Sequence, residues 1–152
     1  MPRLRPSSPE ASVVIAASLR LTRESAGIER LNDLLREVFA RAGTVRSVSD
    51  DLKLCLNEAV ANVMAHGQTA VSANLRIDVH FIAAETRATA YVDDNCVHFD
   101  PLKYPLTAPM NGLRHARIGG FGIALIRATA SSLRWQALGE NGNRFSITCE
   151  LP

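Results

Sequence analysis

The sequence predicts an α+β fold, a sheet packed against helices, and three observations carry that prediction. Stretches near residues 13–21, 73–82 and 144–151 alternate apolar and polar positions as half-buried strands do. Apolar residues at helical spacing mark two long helices within residues 28–66. A chain of 152 residues with 47% apolar content and a net charge of +2 has the size and balance of one compact domain.

The opening "MPRLRPSSPE" is basic and rich in proline and serine, so residues 1–11 are expected to be a flexible tail, with one domain over residues 12–152. The following "SVVIAASL" is too short for a secretory core, and alternation accounts for it: Val13, Ile15, Ala17, Leu19 and Leu21 share one parity as a first strand. Ile28, Leu31, Leu34, Leu35, Val38 and Phe39 then recur at helical spacing until Gly43 supplies a C-terminal stop. A second helix is expected to start at Ser47 or Ser49, either of which suits an N-cap. It carries Leu52, Cys55, Leu56, Ala59, Val60 and Val63 as its apolar stripe and stops at Gly67.

Leu75, Ile77, Val79 and Phe81 alternate with Asn74, Arg76, Asp78 and His80, which predicts an antiparallel strand over residues 73–82 with one wet face. After a turn near Glu85, Ala88, Ala90, Val92 and Asp94 share one face of the next strand, so Asp94 falls on the apolar side. A long segment with three prolines leads to "IGGFGIALIRATASS", a glycine-rich turn opening a third helix. "LRWQAL", a "GENGN" turn and "RFSITCEL" close the chain as a hairpin, with Phe145, Ile147, Cys149 and Leu151 on one parity.

Composition removes several classes of function. No apolar run approaches the roughly 20 residues that span a bilayer, so no membrane partner is expected. Charge is nearly balanced, aromatics are 5% and no basic stripe stands out, which argues against direct nucleic-acid binding. Cys55, Cys96 and Cys149 are odd in number and widely spaced, which suits reduced thiols and a cytoplasmic protein.

Three motifs carry chemistry. In "EAVANVMAH", Glu58, Asn62 and His66 stand four residues apart, about 40° per step around a helix, and so line one edge of the apolar stripe. A carboxylate there can act as a general base and an amide oxygen can complete the shell of a hard cation, or all three groups can simply be solvated. In "GGFGIALIR", Gly119, Gly120 and Gly122 open a helix, where free backbone N–H groups and the helix dipole favour an anion such as phosphate; glycine also serves any tight connection. Ile123-Ala124 follow Gly122, where a Walker P-loop needs Lys-Ser/Thr. In "DDNCVHFDP", a calcium loop from Asp93 fails because its sixth position is His98 and its twelfth Tyr104. Asp94 is either a turn former or a buried acceptor for an exocyclic amine.

Taken in order, these motifs resemble the anti-sigma-factor serine kinases, within the histidine-kinase-like (GHKL, Bergerat-fold) ATPases. That family carries Glu-x-x-x-Asn on a helix, matched by Glu58 and Asn62 and followed by His66. Next comes an Asp box continuing Phe-Asp-Pro, matched by Asp94 and Phe99-Asp100-Pro101, then Gly-Gly-x-Gly-x-x-Leu, matched by "GGFGIAL", and a closing turn like Gly142-Asn143. The resemblance spans residues 12–151 and departs from the family at Cys96, which replaces the Asp-box glycine.

The resemblance implies a two-layer sandwich, a mostly antiparallel mixed sheet covered on one face by about three helices. It implies ATP and Mg²⁺ as cofactors, with Glu58 as the base that deprotonates a partner's serine and Asn62 as the Mg²⁺ ligand. The ATP site would comprise Asn62, His66, Asp94, Cys96, Phe99, Gly119, Gly120, Phe121, Gly122 and Ile123, with Asp94 accepting from the adenine amino group and Leu102–Ile118 forming a lid. The implied partners are a sigma factor, which the protein sequesters, an anti-anti-sigma antagonist of the STAS type, which it phosphorylates, and a second copy of the chain in a homodimer. A degenerate module that binds without turnover is the alternative.

Overall fold

A computed structural model describes residues 12–24, 26–70, 73–105 and 120–152. Within them run β1 (Ile15–Leu21), α1 (Gly27–Ala42), α2 (Arg46–His66), β2 (Ile77–Ala83), β3 (Arg87–Asp94), α3 (Gly120–Thr129), β4 (Ser132–Ala137) and β5 (Asn143–Glu150). The strands form one five-stranded sheet in the order β1-β2-β3-β5-β4. Every ladder among the described residues is antiparallel, so the parallel component allowed by a mixed sheet is not found there.

The helices cover one face of this sheet. Leu31, Leu35 and Val38 of α1 and Leu52, Leu56 and Val60 of α2 are buried against Ile77, Val79, Phe81, Ala90, Val92 and Ile147 of the strands, as the alternation requires. The other face is polar. Arg20 pairs with Asp78, Arg144 pairs with Asp93 through two bonds of 2.7 and 2.6 Å, and the Arg144 guanidinium lies 5.6 Å from the Tyr91 ring centre.

Helix α1 ends as expected, with Gly43 in the left-handed region and the Thr44 N–H donating back to Phe39 O at 3.0 Å. The start of α2 differs from the expectation. The helix begins at Arg46, its N-cap residue is Val45, and neither Ser47 nor Ser49 caps it; Ser49 Oγ donates instead to Arg46 O. A tertiary contact sets this boundary, because Val45 N–H donates to Glu85 O and Thr44 Oγ1 to Ala84 O in the β2–β3 turn.

Strand β2 also starts later than the alternation suggested. Leu75 is buried, yet the backbone beside it is held by a side chain: Arg76 N–H donates to Asn95 Oδ1 and Asn95 Nδ2 donates to Asn74 O. The end of α2, the end of β3 and the start of β5 meet at one end of the domain, since Asp94 pairs with Asn143 and Val92 with Phe145 in the β3–β5 ladder.

Candidate functional site

A cavity of about 400 Å³ opens where these three ends converge, between the helical layer and the sheet. That volume lies within the roughly 300–1,000 Å³ of small-molecule pockets. The α2 wall is Ala59, Asn62, Val63 and His66, the sheet wall is Val92, Asp94, Trp135, Asn143 and Phe145, and α3 contributes Ile123 and Ile126. The lining is mostly apolar with a few polar groups, the composition that orients a partly aromatic ligand.

Asp94 is held at the end of β3 by two donors. Its Oδ1 accepts the Cys96 N–H at 2.9 Å and Asn143 Nδ2 at 2.9 Å. Among the described residues no N–H donor is bonded to Oδ2, so both strong donors sit on one oxygen and the other is left for a donor in the cavity. The parity that put Asp94 on the apolar side of its strand is observed, and the residue is half-buried.

Cys96 is 3% exposed, and its thiol fills space that Gly67 leaves open at the end of α2. A Cβ at Gly67 would come within 2.7 Å of Cys96 Sγ and 2.6 Å of Val63 O. Burial, and then the charge of Asp94, push the Cys96 thiol up to about 12. It is therefore a protonated packing group and not a nucleophile near neutral pH. Gly67→Ala is expected to destabilise the protein by about 1–3 kcal/mol, the usual cost of overpacking, read as a fall in the urea midpoint at unchanged slope.

Arg23 completes this end of the site. Its guanidinium donates to Met64 O at 2.5 Å and Gly67 O at 2.8 Å, satisfying carbonyls that the end of α2 leaves unpaired and placing a cation at the negative end of its dipole. At the rim, Phe99 is 44% exposed and meets Tyr104 edge-on at 5.8 Å, while His98 meets Trp135 edge-on at 6.3 Å. Arg127 of α3 donates to Tyr104 O, tying that helix to the segment after the Asp box.

The structure brings together Asn62, His66, Asp94, Cys96, Phe99 and Ile123 on the cavity wall. Glu58 stands one turn before Asn62 on α2 and does not line the cavity; its carboxylate lies against Gly122 of α3, where an added Cβ would sit 2.8 Å from Oε2. Gly122 thus serves close approach between two helices. Phe121 is 64% exposed and lies off the cavity, and Gly120 is the first residue of α3. Gly119 and residues 106–118 of the expected lid lie outside the described residues, as does the expected tail.

Asn143 is the residue whose role the motif reading did not assign beyond a closing turn. It is 5% exposed, and its amide reaches Asp94, Val97, Phe99 and Trp135. The signal was present: Asn143 shares parity with Phe145, Ile147 and Cys149, so an amide on the apolar side of a strand called for buried partners.

The profile of the histidine kinase-like ATPase domain (HATPase_c_2) matches residues 21–149, which takes in every element from the end of β1 to β5. The chain belongs to the histidine kinase-like ATPase domain family. No curated protein matches it. Among solved structures, the fold is similar to that of the RsbU and RsbW domains of Rv1364c from Mycobacterium tuberculosis, with a TM-score of 0.59 and 19% identity over 90% of this chain. The chain spans 32% of the length of that protein chain. The histidine kinase domain of the blue-light activated kinase EL346 from Erythrobacter litoralis aligns with 94% of this chain and 69% of its own, at 12% identity and a TM-score of 0.44.

A histidine kinase-like ATPase domain implies ATP as ligand, and the cavity fits the base of that nucleotide: apolar walls for a ring and one carboxylate oxygen for an amine. The described residues hold no cluster of three or more His, Cys, Asp or Glu side chains that could bind a metal by themselves. Asn62 on the cavity wall fits a Mg²⁺ that arrives with phosphates, since that ion commonly takes one or two protein ligands and fills its shell with phosphate oxygens and water. Among the described residues no helix is long and apolar enough to cross a membrane.

Proposed function

We propose that this chain is an ATP-dependent serine protein kinase that also acts as an anti-sigma factor, sequestering a sigma factor and phosphorylating a serine of a STAS-type antagonist. The observation that carries the reading is Asp94, fixed through one oxygen and open through the other, facing Asn62 across a cavity of nucleotide size. The ordered match of Glu58, Asn62, Asp94 and "GGFGIAL" to the anti-sigma kinases supports the narrower function.

Asp94 accepts from the adenine amine, Val63, Val92 and Ile123 enclose the ring, and Asn62 offers an oxygen to Mg²⁺, which when bound neutralises phosphate charge. Glu58 accepts the proton of the attacking serine hydroxyl. Its place off the cavity wall suits a hydroxyl delivered by another protein, since the acceptor arrives from outside the nucleotide pocket. The γ-phosphoryl group passes to that oxygen and ADP leaves; positioning and charge neutralisation supply most of the acceleration. A homodimer, a cytoplasmic location and release of the antagonist on phosphorylation belong to the same reading.

Cys96 favours a second reading, a module that binds partners without turnover, because a side chain occupies the position of the family's glycine. Transfer separates the two. The purified chain, given ATP, magnesium and STAS-domain proteins from its own genome, is expected to place phosphate on a serine of one of them, detected by intact mass. Tight ATP binding with no transfer to any of them would favour the binding module, and no ATP binding would defeat both nucleotide-dependent forms.

A further inference from the structure

We infer that Asn143 is the specificity-determining residue of the nucleobase pocket: by saturating one oxygen of Asp94 it fixes the other as an acceptor and so selects a base with an exocyclic amine. The inference rests on the ATP-binding reading above and names a residue that reading does not use.

The hydrogen-bond inventory of Asn143 is full. Its Nδ2 donates to Asp94 Oδ1 at 2.9 Å and to Val97 O at 3.1 Å, with Cys96 O at 3.5 Å. Its Oδ1 accepts Phe99 N–H at 2.8 Å and Trp135 Nε1–H at 3.0 Å. An amide has two donor hydrogens and two acceptor lone pairs, and all four are engaged. Asn143 therefore has nothing left for a ligand, and it acts through Asp94.

Three properties follow from those bonds. Donation to Oδ1 holds the plane of the carboxylate, since Cys96 N–H fixes the same oxygen from a second direction. Oδ2 is then aimed into the cavity in one fixed direction, so a base with an amine at its edge meets an aligned acceptor and a base with a carbonyl there sets two acceptors against each other. A pocket built to bond a donor rejects an analogue lacking it far more strongly than it rejects a change in size. The same amide spans β3, the segment after it and β4, so the acceptor, the Phe99 backbone and the Trp135 indole keep one relative geometry.

The test compares ATP with inosine triphosphate, which carries a carbonyl where ATP carries the amine, by calorimetry on the full chain in magnesium. The unaltered protein is expected to bind ATP at least tenfold more tightly than the inosine analogue. Asn143→Ala is expected to narrow that ratio to about threefold or less while measurable ATP binding remains. Asn143→Ser is the milder change: its short hydroxyl cannot span Asp94 Oδ1, Phe99 N–H and the Trp135 indole at once, so it is expected to narrow the ratio as well, and it serves if the alanine variant does not fold. A residue with a merely structural role would weaken both nucleotides equally and leave the ratio intact, and that result in a folded variant overturns the inference. An unaltered protein that binds both nucleotides equally also overturns it while leaving the ATP reading in place; one that binds neither overturns both.

Discussion

Asp94→Asn is expected to lower ATP affinity about 100-fold or more while leaving the fold nearly intact. The carboxylate has two separate duties, and asparagine can keep only one. With its amide oxygen placed at Oδ1 it still accepts from Cys96 N–H and Asn143 Nδ2, so the end of β3 keeps its geometry and the melting temperature falls little. Its amide nitrogen then occupies Oδ2, where a donor meets the donor of the base. A hydrogen bond to a charged group contributes about 1.5–3 kcal/mol, and the clash of two donors adds to that loss. Calorimetry with magnesium-ATP, run beside a thermal melt, separates the two effects. Unchanged affinity would mean that the base does not bond to Asp94, and a collapsed melt would mean that the fold cannot hold the amide in that orientation.

Glu58→Gln is expected to do the reverse, keeping ATP affinity within about threefold and reducing phosphoryl transfer by roughly 10²–10⁴, the range for loss of a general base. The side chain lies outside the cavity, so the nucleotide loses no contact, and glutamine fits the same space beside Gly122. Single-turnover transfer to the serine of a STAS-domain acceptor gives the rate. A variant that transfers phosphate at the unaltered rate would remove Glu58 from the chemistry and leave it as a packing contact between α2 and α3.

Much of this site was legible in the sequence because its parts obey local rules. Two-residue parity put Asp94 among Ala88, Ala90 and Val92 on the covered face, and helical spacing put Asn62 and His66 on one edge of α2. The parts that were not legible depend on residues distant in the chain. The start of α2 is set by hydrogen bonds from Thr44 and Val45 to the turn at Ala84 and Glu85, which no capping rule applied to Ser47 or Ser49 can anticipate. Cys96 looks like a lost glycine until Gly67 is found beside it, and the two stand 29 positions apart with a complementary exchange of volume. Asn143 sits between these cases: its parity was readable, but its partners come from three other segments.

The bond from the Trp135 indole to Asn143 has a practical side. Trp135 is the only tryptophan in the chain, it lines the cavity, and its Nε1–H ends on the same amide that holds Asp94. Indole emission responds to the polarity and hydrogen bonding of its surroundings, so all of the protein's tryptophan fluorescence comes from one wall of the pocket. The molecule carries its own unlabelled optical probe of occupancy, and stopped-flow mixing can follow ligand arrival and departure in real time with the native sequence untouched.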